Sequence, residues 1–118
     1  MAKLVPPKDI GVPVPSPALP SGTHLIAYYG PHGFTPSYSQ TGRIDVGDVS
    51  TLTQKTVNGV TYYDDPVGAE LPSTLAAGQY DFYYTFEESA GDESNFSALA
   101  TVTVNAVPPT PGQPIILS

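Results

Sequence analysis

The chain has 118 residues, no cysteine and no tryptophan, and eleven acidic against four basic side chains leave a net charge of −7. That length suits one domain able to bury a core, with no disulfide available to staple it. Eight acids and no lysine or arginine follow Gly59, so a polyanion would be repelled, which argues against nucleic acid or an anionic membrane as partner.

Taken in chain order, MAKLVPPKDIGVPVP lacks the apolar stretch that a secretory signal needs. With Met1 as the natural start, the expectation is a protein made in the cytoplasm and not exported by the general route. Six of the fourteen prolines fall in residues 1–20. Proline fixes φ and removes a donor, so 1–20 reads as an extended N-terminal arm that can end in an edge strand. Its apolar residues Leu4, Val5, Ile10, Val12 and Val14 suit either its own sheet edge or a partner.

Thr23 to Tyr29 is apolar on both sides and reads as a central strand ending at Gly30-Pro31. Through residues 31–50 glycine, proline and serine interrupt the pattern, leaving Phe34 to Ser39 and Arg43 to Val46 as short strand candidates. Asn58-Gly59 between Thr51–Val57 and Val60–Tyr63 marks a hairpin, because a type I′ turn requires positive φ at both central residues. From Tyr80 to Glu87 an aromatic face (Tyr80, Phe82, Tyr84, Phe86) alternates with a mostly polar one, as in a half-buried strand. Ala100, Val102 and Val104 alternate with Thr101 and Thr103 in the strand that follows. Residues 107–118 form a second proline-rich tail that ends on Ile115, Ile116 and Leu117. About seven short strands at this spacing predict an all-β antiparallel sandwich over residues 21–106, flanked by two extended arms.

The pattern Leu75-x-x-Gly78-x-Tyr80-x-Phe82, then Ser89-Ala90-Gly91-Asp92-Glu93-Ser94, Ser97 and a TVTV strand resembles the last two strands of fibronectin type III and related bacterial immunoglobulin-like domains. The resemblance implies an immunoglobulin-like β-sandwich with a tyrosine corner, in which the Tyr80 hydroxyl bonds upstream backbone and Leu75 plugs the space beneath. The tryptophan usual in fibronectin type III domains is missing, and Tyr28 or Tyr29 is the candidate to replace it.

No pattern of catalysis stands out. His24 and His32 lack metal-ligand spacing, the pairs Asp64-Asp65, Glu87-Glu88 and Asp92-Glu93 lack the EF-hand pattern, and neither GxSxG nor a phosphate-binding glycine motif occurs. The expectation is a protein with no enzymatic activity, no cofactor and no metal. Tyr28-Tyr29, Tyr62-Tyr63 and Tyr83-Tyr84 sit side by side on strands, so one of each pair is expected outside the core, available to a protein or a sugar or packed beneath an arm. Immunoglobulin-like domains without a signal peptide look like those on virions of tailed bacteriophages. That resemblance implies a virion accessory protein, a capsid decoration protein assembled in the host cytoplasm, with the major capsid protein or another virion protein as partner and a homo-oligomer as one possible form. The contacts are expected at Lys3, Leu4, Val5, Lys8, Ile10 and Val12 of the arm and Ile115, Ile116 and Leu117 of the tail. The alternative is a carbohydrate-binding or adhesion module of a bacterial surface protein or glycoside hydrolase.

Overall fold

The computed structural model describes residues 3–5, 9–66, 71, 75–107 and 111–117, with the backbone alone for 3–5 and 105–107. Eight strands are formed by these residues: β1 (Lys3–Val5), β2 (Ile10–Pro13), β3 (His24–Pro31), β4 (Arg43–Asp48), β5 (Gln54–Val57), β6 (Val60–Asp65), β7 (Gly78–Glu87) and β8 (Ala100–Val107). They build two antiparallel sheets, β1-β8-β7-β3-β4 and β2-β6-β5. The chain is all-β, consistent with a sandwich.

Local chemistry explains most of the strand ends. At the β5–β6 hairpin Asn58 and Gly59 take φ of 50° and 80°, the left-handed pair that matches the twist of the flanking strands. The strand expected from Thr51 begins only at Gln54. Asp48 caps a 3₁₀ turn over Val49–Thr51 by accepting from the Ser50 N–H at 2.9 Å, and a turned backbone cannot join a ladder. The segment from Phe34 to Ser39 forms no strand either. Its backbone closes turns instead, with Phe34 N donating to Pro31 O at 2.9 Å and Gln40 N to Ser37 O at 3.1 Å.

The core lies between the sheets. Val12, Leu25, Ala27, Val49, Tyr63, Leu71, Phe82, Tyr84 and Val104 form one buried cluster, and each large apolar side chain enclosed this way contributes about 1.5–3 kcal/mol relative to exposure. The aromatic face of β7 points into this cluster.

The opposite face of β7 is covered as well, where alternation alone predicts a half-solvated surface. Asp81 is 0 % and Thr85 2 % exposed. Residues 94–97 continue the ladder beyond the start of β8: Ser94 N donates to Phe86 O at 2.9 Å and Ser97 N to Tyr84 O at 2.8 Å. The hydroxyls of the same two serines accept from Phe86 N and Tyr84 N, both at 2.9 Å. This pairing satisfies the β7 backbone and carries Phe96 onto the outer face, where it meets Tyr28 edge-on at 5.0 Å and stacks on Tyr38 at 4.5 Å.

Candidate functional site

Beneath that aromatic lid lies a charged cluster. In register, Tyr28 on β3 sits opposite Arg43 on β4 and Tyr83 on β7. Arg43 reaches Glu93 through Nη2 at 2.6 Å and Nε at 3.2 Å, Glu87 through Nη2 at 3.2 Å, and the Tyr28 hydroxyl through Nε at 3.1 Å. The Tyr28 hydroxyl donates to Glu93, which also accepts from Thr85 Oγ1 at 2.7 Å. Glu93 is delivered by the β7–β8 connection, which bridges back to Glu87.

The electrostatics follow from this packing. Burial pushes the Glu93 carboxyl up, but donation from Tyr28, Arg43 and Thr85 outweighs it and holds the group below its usual range. Glu93 in turn raises the Arg43 guanidinium, and burial raises the Tyr28 phenol. A pocket of about 510 Å³ opens beside Tyr38, Arg43, Glu87, Gly91 and Glu93. Arg43 and Glu93 already answer each other inside it, so the cluster pins the connection 88–99 onto the outer face of β3 and β7.

A second polar anchor holds the loop after β3. Asp81, fully enclosed, accepts from Gly33 N at 2.8 Å and from Thr101 Oγ1 at 2.8 Å, and its Oδ1 lies 2.8 Å from His32 Nδ1. The Gly33 amide first, then His32 and Thr101, hold its carboxyl at about 2 against the opposing effect of burial. The Thr101 hydroxyl is committed to the same carboxylate oxygen as His32, so it is not the proton donor that a nucleophilic relay would present to the imidazole. His24 lies 3.0 Å from Asp45 on the surface, and that contact raises its imidazole above the usual value. Asp64 and Asp65 diverge as strand neighbours must: Asp64 meets Lys55 at 3.2 Å, while Asp65 turns inward and accepts from Tyr84 Oη at 2.5 Å. Among the described residues no group of three or more His, Asp or Glu side chains is placed to hold a metal ion. No helix there is long and apolar enough to cross a membrane.

The residues singled out by sequence separate into three places. Lys3, Leu4 and Val5 lie in β1, paired with Val107, Ala106 and Asn105. Ile10 packs against the core and Val12 belongs to it at 7 % exposure. Ile10, Val12 and Val14 of the expected arm therefore face the domain itself, because period-two spacing turns them to one side. Lys8 lies outside the described residues. Ile115, Ile116 and Leu117 are 77 %, 93 % and 90 % exposed. Tyr80 Oη donates to Ala76 O at 2.6 Å, and Leu75 packs on the core next to it.

The Arg43 cluster was not anticipated. Its one signal in the sequence is a lone arginine among acids, at a strand start where its side-chain face is decided by pairing. The paired tyrosines do split across the sheet. Tyr28 and Tyr83 leave the core yet are roofed by Phe34, Tyr38 and Phe96, so the cover comes from two loops and not from an arm.

One further feature stands open. Between β2 and residues 97–100 runs a groove of about 290 Å³, floored in part by Tyr84. Comparison of the chain with protein-family models, with curated proteins and with solved structures finds no match.

Proposed function

We propose that the chain is a non-enzymatic structural protein, an immunoglobulin-like sandwich that attaches to a protein partner through its C-terminal segment. The observation that carries this reading is the exposure of Ile115, Ile116 and Leu117, three consecutive large apolar residues at 77–93 %. Solvent exposure of such a run is unfavourable and has a use when a partner covers it. The strand order, with β2-β6-β5 in one sheet and β8-β7-β3-β4 in the other, supports the immunoglobulin-like arrangement, as does the Tyr80–Ala76 bond. The net charge of −7 favours a protein over nucleic acid or an anionic membrane.

The setting we propose is a bacteriophage virion, with the domain decorating a capsid. Many weak tail contacts on a repeated lattice then add up to durable attachment. The test is to purify particles on a density gradient from cells producing the full chain and from cells producing a chain cut after Val107. The full chain is expected in the particle fraction and the cut chain in the soluble fraction. Absence of the full chain from particles would overturn the reading.

A second reading, a carbohydrate-binding or adhesion module, draws on Tyr38, 47 % exposed and stacked on Phe96 at the rim of the Arg43 pocket. Glycan binding abolished by Tyr38→Ala, with the fold intact, would favour it over the first.

A further inference from the structure

We infer that the groove between β2 and residues 97–100 is the seat for the C-terminal segment of a second copy of this chain. This rests on the reading above that the tail is a docking element, and it adds a neighbouring copy of the chain to the surfaces the tail docks on.

One wall of the groove is the outer edge of β2, and the other is residues 97–99 with the first residue of β8. Among the described residues β2 pairs only with β6, and β1 covers β8 only at residues 105–107, leaving the 100–104 stretch of β8 with β7 alone. Unpaired edges offer backbone donors and acceptors to an added strand. Leu99 on the rim is 48 % exposed.

The tail fits this space in length, polarity and charge. Pro114–Leu117 in extended form spans about 13 Å, the same as the four residues of β2. Ile115 and Leu117 fall on one face of such a strand and can enter the groove, whose lining residues Ile10–Pro13, Tyr84 and 97–100 are predominantly apolar. Charge narrows the choice further. Two copies at −7 repel, so contact between them is least opposed where neither carries charge; residues 111–117 have none of the fifteen charged side chains, and the groove lining has none either.

Because tail and groove are different surfaces, the contact is heterologous. Copies then add head to tail into open chains, or into rings where the rotation closes.

The test is sedimentation velocity on the full chain over a wide concentration range, beside two variants: one ending after Val107, and Leu99→Asp, which places a charge on the exposed rim without touching the core. The full chain is expected to form oligomers that grow with concentration. Each variant alone is expected to stay monomeric, with far-ultraviolet circular dichroism unchanged. Mixed together they are expected to give a one-to-one dimer and nothing larger, since one supplies the tail and the other the groove. If Leu99→Asp disturbs the fold, Ala98→Asp, at an exposed position of the same groove lining, replaces it in the mixture.

A full chain that stays monomeric at every concentration overturns the inference, as does association that survives loss of the tail or a mixture that fails to pair. A monomer whose Ile115–Leu117 amides are protected from exchange until Leu99 is changed assigns the tail to its own groove, and also overturns it. Tail-dependent attachment to particles by a strictly monomeric chain would sink this inference and leave the proposed function standing.

Discussion

The phenol of Tyr84 on β7 donates at 2.5 Å to the carboxylate of Asp65 on β6, joining the two sheets through the middle of the core. Asp65 is 1 % and Tyr84 5 % exposed, so neither group can exchange its partner for bulk water. Tyr84→Phe is expected to cost about 1.5–3 kcal/mol, the range for a hydrogen bond to a charged group. Asp65→Leu combined with Tyr84→Phe should cost less than the sum of the two single changes, and denaturant melts of the four proteins would measure that coupling. Burial first, then the Asp65 charge, raises the Tyr84 phenol above its ordinary value of 10.0. Stability from this source is complete below pH 10 and falls as the solution becomes more alkaline, a loss that Tyr84→Phe should remove.

At the acid end the controlling groups are Asp81 and Glu93. Asp81 ionises at about 2 in the folded chain against an ordinary 3.8, and Glu93 also lies below its ordinary 4.5. Carboxyls held low stabilise the fold above their unfolded values and lose that contribution as pH falls through the folded ones. Thermal melts should therefore show Tm dropping steadily from about pH 5 toward pH 2. Asp81→Asn should lower Tm at neutral pH and flatten that acid slope. A variant with the wild-type slope would show that Asp81 is not its source.

Gly42 offers a steric test of the loop that roofs the outer face. A Cβ at this position would run into the carbonyl oxygen of Tyr29, the same carbonyl that accepts from Gln40 Nε2 at 2.9 Å. Tyr29 N also donates to Gly42 O at 3.1 Å, so the two backbones cannot part without losing bonds. Gly42→Ala is expected to cost about 1–3 kcal/mol, the usual cost of overpacking. Amide exchange should localise the loosening to residues 38–43.

The Tyr80 corner calls for a smaller effect. Tyr80→Phe removes only the bond to Ala76 O and keeps the ring on the core, so about 0.5–1.5 kcal/mol is expected in urea melts. A loss well above that range would mean that the ring itself had moved.

Much of the fold is visible in local sequence. Tyr80 to Glu87 alternates so regularly that its inner face can be named residue by residue, and Asn58-Gly59 dictates its turn by backbone sterics alone. The N-terminal strands are harder to see because two signals conflict. Prolines at 6, 7, 13, 15 and 17 argue for an unpaired arm, while Ile10, Val12 and Val14 carry the spacing of a strand. Edge position reconciles them, since Pro13 ends β2 at the margin of its sheet and a missing N–H costs little there. The Arg43 cluster lies beyond sequence reasoning for a different cause. Its members come from β3, β4, β7 and the 88–99 connection, and only tertiary packing places Glu93 beside residues 50 and 65 positions earlier. The groove is harder still, because it is defined by edges left uncovered.

The pairing of Lys3–Val5 with Asn105–Val107 sets an order of events during synthesis. β1 leaves the ribosome before the other seven strands, yet the strand it pairs with among the described residues is the last of the eight to be made. A nascent chain can form the β5–β6 hairpin and lay β3 on β4 early, but the five-stranded sheet stays two strands short, without β8 and β1, until β8 has been released. The earliest of the eight strands is thus among the last to be folded, and the closing strand is the one from which the exposed tail departs.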